Sequence, residues 1–146
     1  MTTRRRFLQL AVAGTAATCA SGLAGCPAAA LSGTHAAGNL ADLPEGGTLL
    51  VATAPLVVLR DALGLWALTT ICPHLDCDMA EQGSIAPDEL VCDCHGSRFD
   101  GAGAVLEGPA TQALAAYAVL LDADSGAITV DADQEVDGTA RTPVAG

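Results

Sequence analysis

Two short segments concentrate the residues able to bind metal. Cys72-Pro73-His74-Leu75-Asp76-Cys77 and Cys92-Asp93-Cys94-His95-Gly96-Ser97 hold four of the six cysteines and two of the three histidines of the 146-residue chain. Each offers a thiol and an imidazole at close spacing. Two loops of this kind, set face to face, can give one metal two thiolates and a second metal two imidazoles. Zinc accepts the same donor types, so a structural zinc module stands as an alternative.

The spacing is Cys-x-His, seventeen residues, then Cys-x-x-His. It resembles the Rieske iron-sulfur family. The resemblance runs from about Thr48 to Asp131 and implies one [2Fe-2S] cluster per chain, with Cys72 and Cys92 on one iron and His74 and His95 on the other. It also implies a disulfide between Cys77 and Cys94, as in the high-potential members, bracing the two loops; an oxidising exported location permits the bond. Charge explains the mixed ligation. An oxidised [2Fe-2S] core carries about +2, so two thiolates and two neutral imidazoles bring the site to zero, and an electron enters more easily than with four thiolates.

The same resemblance assigns neighbours. Ser97 stands where a hydroxyl donates to a cluster sulfur and raises the potential. Phe99 stands where quinol-oxidising members often carry a tyrosine, whose absence lowers it. Asp76, Asp78 and Asp93 add negative charge. One such charge at roughly 8 Å, with an effective dielectric near 20, opposes reduction by about 2 kcal/mol, on the order of 90 mV before solvent screening. A mid-range potential is therefore expected. Leu75 would sit beside His74 at the tip, and Gly108-Pro109 resembles the proline-bearing loop that covers the cluster from a third side.

The amino terminus reads as an export label. Thr3-Arg4-Arg5-Arg6-Phe7-Leu8, followed by an Ala/Gly-rich run, matches the twin-arginine pattern, with Arg4 and Arg5 as its signature. That route suits a protein folded around its cluster before export. Leu23-Ala24-Gly25-Cys26 reads as a lipobox, with Cys26 the lipidated residue; at about 0.8 kcal/mol per buried methylene, two or three acyl chains hold a domain on a membrane. An uncleaved anchor between Phe7 and Leu31 is the alternative.

Four segments are expected: a signal or anchor over 1–25, a tether over 26–47, a cluster domain over 48–131 and a flexible tail over 132–146. His35 falls in the tether and reads as a solvated histidine. Short apolar runs broken by turn residues predict strands at Thr48–Ala52, Leu56–Arg60, Leu65–Thr69, Glu89–Cys92, Ser97–Phe99, Ala104–Leu106, Ala113–Leu121 and Ala127–Val130. Turn chemistry separates them, as at Asp61-Ala62-Leu63-Gly64, Asp100-Gly101 and Asp124-Ser125-Gly126. The fold class is all-β, a meander by local pattern and an antiparallel β-sandwich with two cluster-binding loops by resemblance.

Composition narrows the partners. All 17 acidic residues follow residue 41, and beyond residue 26 they face three arginines and no lysine, a net charge of −14. Nucleic acid is excluded as a partner. A basic redox partner is favoured by steering. The expected role is a membrane-tethered electron-transfer subunit facing the periplasm, taking electrons in a quinol-oxidising complex and passing them to a c-type cytochrome. The alternative is a small subunit or donor of an exported oxidoreductase resembling the arsenite oxidases.

Overall fold

A computed structural model describes residues 31–145. Among these residues ten strands form two antiparallel sheets, in agreement with the all-β expectation. The larger contains β1 (Thr34–Asn39), β2 (Thr48–Leu50), β3 (Leu56–Asp61), β4 (Gly64–Thr69), β9 (Ala116–Leu121) and β10 (Ala127–Val136), in the order β1-β10-β9-β4-β3-β2. The smaller contains β5 (Gly83–Ile85), β6 (Glu89–Cys92), β7 (Ser97–Asp100) and β8 (Val105–Glu107) in sequential order.

Aspartates open three of the hairpins. Asp61 Oδ1 accepts the backbone N–H groups of Leu63 and Gly64, Asp100 Oδ1 those of Ala102 and Ala104, and Asp122 Oδ1 those of Asp124 and Ser125. A short carboxylate that satisfies the turn's own donors is what makes these sites reverse the chain. Between the hairpins, β3 and β4 are buried on both faces. Val57, Leu59, Trp66 and Leu68 point into a core shared with Leu90 and Phe99 of the small sheet, and Leu56, Val58, Leu65 and Ala67 into a second core with Val119, Ile128 and Val130. Strands covered on both sides read as continuous apolar runs, as these two do.

The chain is not a simple meander. After β4 it leaves the large sheet, builds the small one, and returns as β9, which pairs with β4 through Ala67 with Tyr117 and Leu68 with Ala116. The whole metal-binding region lies within this excursion.

Two expected boundaries are corrected. The predicted tether to residue 47 contains β1, which pairs with β10 from Thr34 opposite Asp131 to Asn39 opposite Ala127. His35 lies in that strand, its ring nitrogens at 3.1 Å from the Ser32 carbonyl and 3.4 Å from Thr53 Oγ1. An edge strand is held by its backbone, so small residues suffice; at Gly38 a Cβ would stand 2.9 Å from Leu49 Cδ2. The expected loose tail is likewise folded in. β10 continues to Val136, Thr142 exchanges backbone hydrogen bonds with Leu65, both at 2.8 Å, and Arg141 bonds Asp61 at 3.0 Å while lying 3.7 Å over the Trp66 ring. Arg4, Arg5, Cys26 and the rest of the expected leader lie outside the described residues.

Candidate metal centre

The first loop springs from the end of β4 and is closed by pairing of Ile71 with Asp78. Inside it the Cys72 N–H donates to Cys77 O at 2.8 Å and the Asp76 N–H to Cys72 O at 3.0 Å. Asp76 takes a φ of 58°, a left-handed turn that aspartate tolerates better than most side chains and that wraps the loop back on itself. The second loop is the β6–β7 turn, based on the Cys92–Ser97 pair. Gly96, at a φ of 83°, donates to Cys92 O at 2.9 Å. The Asp93 N–H reaches Gln82 O at 3.0 Å, tying this loop to the start of β5.

A disulfide joins Cys77 to Cys94, with Cα atoms 6.6 Å apart, so the two loops are held covalently face to face. Cys92 Sγ lies within 4.8 Å of both sulfurs of that bridge. Those two sulfurs are spent on each other, which leaves Cys72 and Cys92 as the free thiols among the described residues; both are buried. The imidazoles sit at the outer rim. His95 is exposed and His74 half-buried, their ring centroids 4.8 Å apart at an interplanar angle of 76°. The structure thus brings together two inner thiols and two outer imidazoles, beside the bridge.

The donor set fits a [2Fe-2S] group. Nδ1 of His74 is buried without a hydrogen-bond partner, a state that costs free energy unless something else accepts its lone pair. Burial pushes the Cys92 thiol pKa up and the adjacent Cys72 pushes it further, while the backbone N–H groups of Cys94 and His95 pull it the other way. Two buried thiols side by side, supplied with N–H donors, are poised to become thiolates when a cation neutralises them.

A third segment, over Gly108–Ala110, contacts the base of the second loop. The Gly108–Pro109 bond is cis, and the next residue, Ala110, donates its N–H to the fully buried Ser97 Oγ at 3.0 Å. Ser97 accepts in that bond, so its own proton remains to be donated. Phe99 is fully buried among Trp66, Met79, Leu90 and Leu114 beneath the loops. Leu75 is 63% exposed at the tip. Sequence reading missed Gln82, whose side-chain amide packs 3.1 Å from Cys94 Sγ, and the backbone of Ala110. Only the β-pairing places either one, and a lone Gln or Ala carries no spacing signal.

Comparison with known proteins agrees with this geometry. Residues 34–118 match the model of the Rieske [2Fe-2S] domain. The cytochrome b6-f complex iron-sulfur subunit of Synechococcus sp. (strain CC9605) is 34% identical over 96 residues, covering 62% of this chain and 53% of that protein. The chain therefore spans about half the length of such relatives. Among solved structures, the ferredoxin of carbazole 1,9a-dioxygenase from Nocardioides aromaticivorans IC177 superposes with a TM-score of 0.51 at 26% identity, over 68% of this chain and 98% of that one.

Proposed function

The chain belongs to the Rieske [2Fe-2S] domain family, and from that premise we propose that it is an exported, membrane-tethered one-electron carrier in a quinol-oxidising respiratory complex, delivering electrons to a c-type cytochrome. Cys72 and Cys92 would hold one iron and His74 and His95 the other. When bound, such a cluster supplies reversible one-electron chemistry at a potential raised by its two imidazole ligands.

The observation that carries the reading is the polarity of the site. Its thiols are buried above a core of Phe99, Met79 and Leu90, and its imidazoles stand at the surface beside the exposed Leu75. A partner can therefore approach from the histidine side alone. With Nδ1 of His74 facing inward, Nε2 is the nitrogen left to hold a proton or a hydrogen bond at that approach. The disulfide fixes the two loops, so the imidazoles need no reorganisation as a partner docks. The hydrogen bond from Ala110 to Ser97 supports a cover over the third side of the site by the segment from Gly108 to Ala110, as the family resemblance implies.

Membrane tethering rests on the sequence of the leader, with Arg4 and Arg5 for export and Cys26 for acylation. Among the described residues no helix is long and apolar enough to cross a membrane. Mass spectrometry of the amino-terminal peptide checks this part. A diacylated Cys26 supports it, and an unmodified Cys26 on a soluble protein refutes it.

A second reading, a small donor subunit of an exported oxidoreductase, is favoured by Phe99 in place of tyrosine and by the likeness to a dioxygenase ferredoxin. Co-purification from membranes separates the two. Cytochrome b and a c-type cytochrome are expected in the eluate; a molybdoenzyme in their place overturns the first reading.

A further inference from the structure

Gln82 stands where the two loops and their bridge meet. Its backbone N–H donates to the Asp78 carbonyl at 2.9 Å, and Asp78 is the residue that closes the first loop against Ile71. Its own carbonyl accepts the N–H of Asp93, in the second loop, at 3.0 Å. The next residue, Gly83, opens β5 opposite Cys92, and the approach there is so close that a Cβ would stand 2.1 Å from the Val91 carbonyl oxygen. The main chain at this point therefore clasps both loops, whichever side chain it carries.

The side chain adds a third contact. Its amide lies 3.1 Å from Cys94 Sγ, within hydrogen-bond reach of the sulfur. The polarity of that contact follows from chemistry. Cys94 is bridged to Cys77, so its sulfur has lone pairs and no proton. Only the N–H edge of the amide can bond to it, and the two edges exchange on a half-turn that leaves every heavy-atom position in place. The other half of the bridge differs. Among the described residues no side chain or backbone group donates to Cys77 Sγ. Neither bridged cysteine is fully buried, so a small thiol has a way in, and the contact is drier than one on the open surface.

A donor on one sulfur alone makes the two ends of the bridge unequal. We propose that Gln82 polarises the Cys77–Cys94 bridge, so that a thiol reductant attacks Cys77 and Cys94 is the sulfur that leaves. In that step the incoming thiolate forms a new S–S bond to Cys77, the Cys77–Cys94 bond breaks, and its electron pair goes to Cys94 Sγ. Charge gathers where the amide N–H already points. Attack at Cys94 would instead place the charge on Cys77, which has no donor. A second thiol of the same kind then frees Cys77 and carries away the oxidised reagent, so two thiols are oxidised to one disulfide as the bridge is reduced to two thiols. Gln82 is a positioning residue in this scheme, since it acts through Cys94. The inference depends on the bridge and its neighbours alone and stands whichever complex the chain serves.

The size of the effect follows from the kind of bond. A hydrogen bond to a charged group is worth a factor of about 10 to 100 in an equilibrium; with roughly half the charge developed as the S–S bond breaks, the factor in rate is about 3 to 10.

The test exposes the full-length, cluster-loaded protein briefly to 2-mercaptoethanol, stops the reaction with excess N-ethylmaleimide, and locates both adducts by peptide mass spectrometry. In the parent, mercaptoethanol is expected on Cys77 and maleimide on Cys94, about three- to tenfold over the reverse arrangement. Gln82→Met keeps the length of the side chain without a donor and should bring the two arrangements close to equal, with opening slower by about three- to tenfold. Gln82→Glu offers only acceptors to the sulfur and should reverse the preference. Gln82→Lys restores a donor and should restore Cys94 as the leaving sulfur. Every variant keeps the two main-chain bonds of residue 82, and the visible spectrum of the cluster verifies that each is loaded. A residue that only filled space would slow or speed the reaction without changing which sulfur receives which label. Equal labelling of both sulfurs in the parent overturns the proposal, as does a Gln82→Met variant with the parent's rate and ratio. Should Gln82→Met fail to assemble its cluster, Gln82→Lys against Gln82→Glu decides: opposite preferences support the proposal and equal ones overturn it.

Discussion

Replacing Ser97 by alanine separates two roles of one hydroxyl. Ser97 Oγ accepts the N–H of Ala110 at 3.0 Å in a place closed to water, Ser97 being fully buried and Ala110 only 4% exposed. The variant leaves that N–H without a partner, a loss of about 1 to 3 kcal/mol that water cannot repair. For a domain of this size the midpoint of thermal unfolding falls by several degrees. If the hydroxyl proton goes to a cluster sulfur, that bond strengthens when the sulfur gains negative charge on reduction. A difference of about 1 kcal/mol between the two redox states corresponds to a potential lower by on the order of 45 mV for a one-electron couple. Urea unfolding measures the first effect and protein-film voltammetry the second. A destabilised variant with an unchanged potential would show that Ser97 only bolts the third loop to β7. No change in either would refute the buried hydrogen bond.

Four further outcomes are expected. Phe99→Tyr should raise the potential by about 20 to 65 mV if its hydroxyl reaches a cysteine sulfur, the range set by one ordinary hydrogen bond, with voltammetry as the check. Replacing Cys77 and Cys94 by serine opens a closure of 17 positions and should reduce stability by about 3 kcal/mol, seen as a lower urea midpoint in the loaded protein. Arg141→Ala removes a partly exposed ion pair and the contact over Trp66, together about 1 to 2 kcal/mol, and should shift Trp66 emission. Burial pushes the Asp61 carboxyl up, but hydrogen bonds from Arg141, Leu63 and Gly64 outweigh it and hold its pKa below the ordinary value. A depressed carboxylate stabilises the fold above its unfolded pKa near 4 and loses that contribution as pH falls through the lower folded value, so the parent should lose stability on acidification below about pH 4 and Arg141→Ala should lose less.

The sequence made the metal-binding loops legible because ligand chemistry demands particular residue types at fixed intervals, and Cys72, His74, Cys92 and His95 have few other reasons to recur in that order. The turns were legible for a similar reason: Asp61, Asp100 and Asp122 each stand at the head of a short polar break. β1 was hidden because an edge strand of Ala36, Ala37 and Gly38 contributes almost no apolar pattern and is held by backbone bonds to a strand some ninety residues away. The closing segment was hidden by the same physics. Thr142 and Arg141 act through Leu65, Asp61 and Trp66, contacts over long separations that no local window contains. Even β3 and β4, found at nearly the right bounds, did not disclose that β4's other neighbour would be β9.

The return of the chain from β4 to β9 has a consequence for how such a molecule can change. Its departure and re-entry points are adjacent across one pair of hydrogen-bonded strands, Leu68 opposite Ala116. Everything between them is a cassette whose inner face shares a core with the platform and whose outer face does not. Such an insert can lengthen, shorten or exchange its outer surface without altering a single register in the larger sheet, so specificity for a new associate can be acquired while the platform stays as it is.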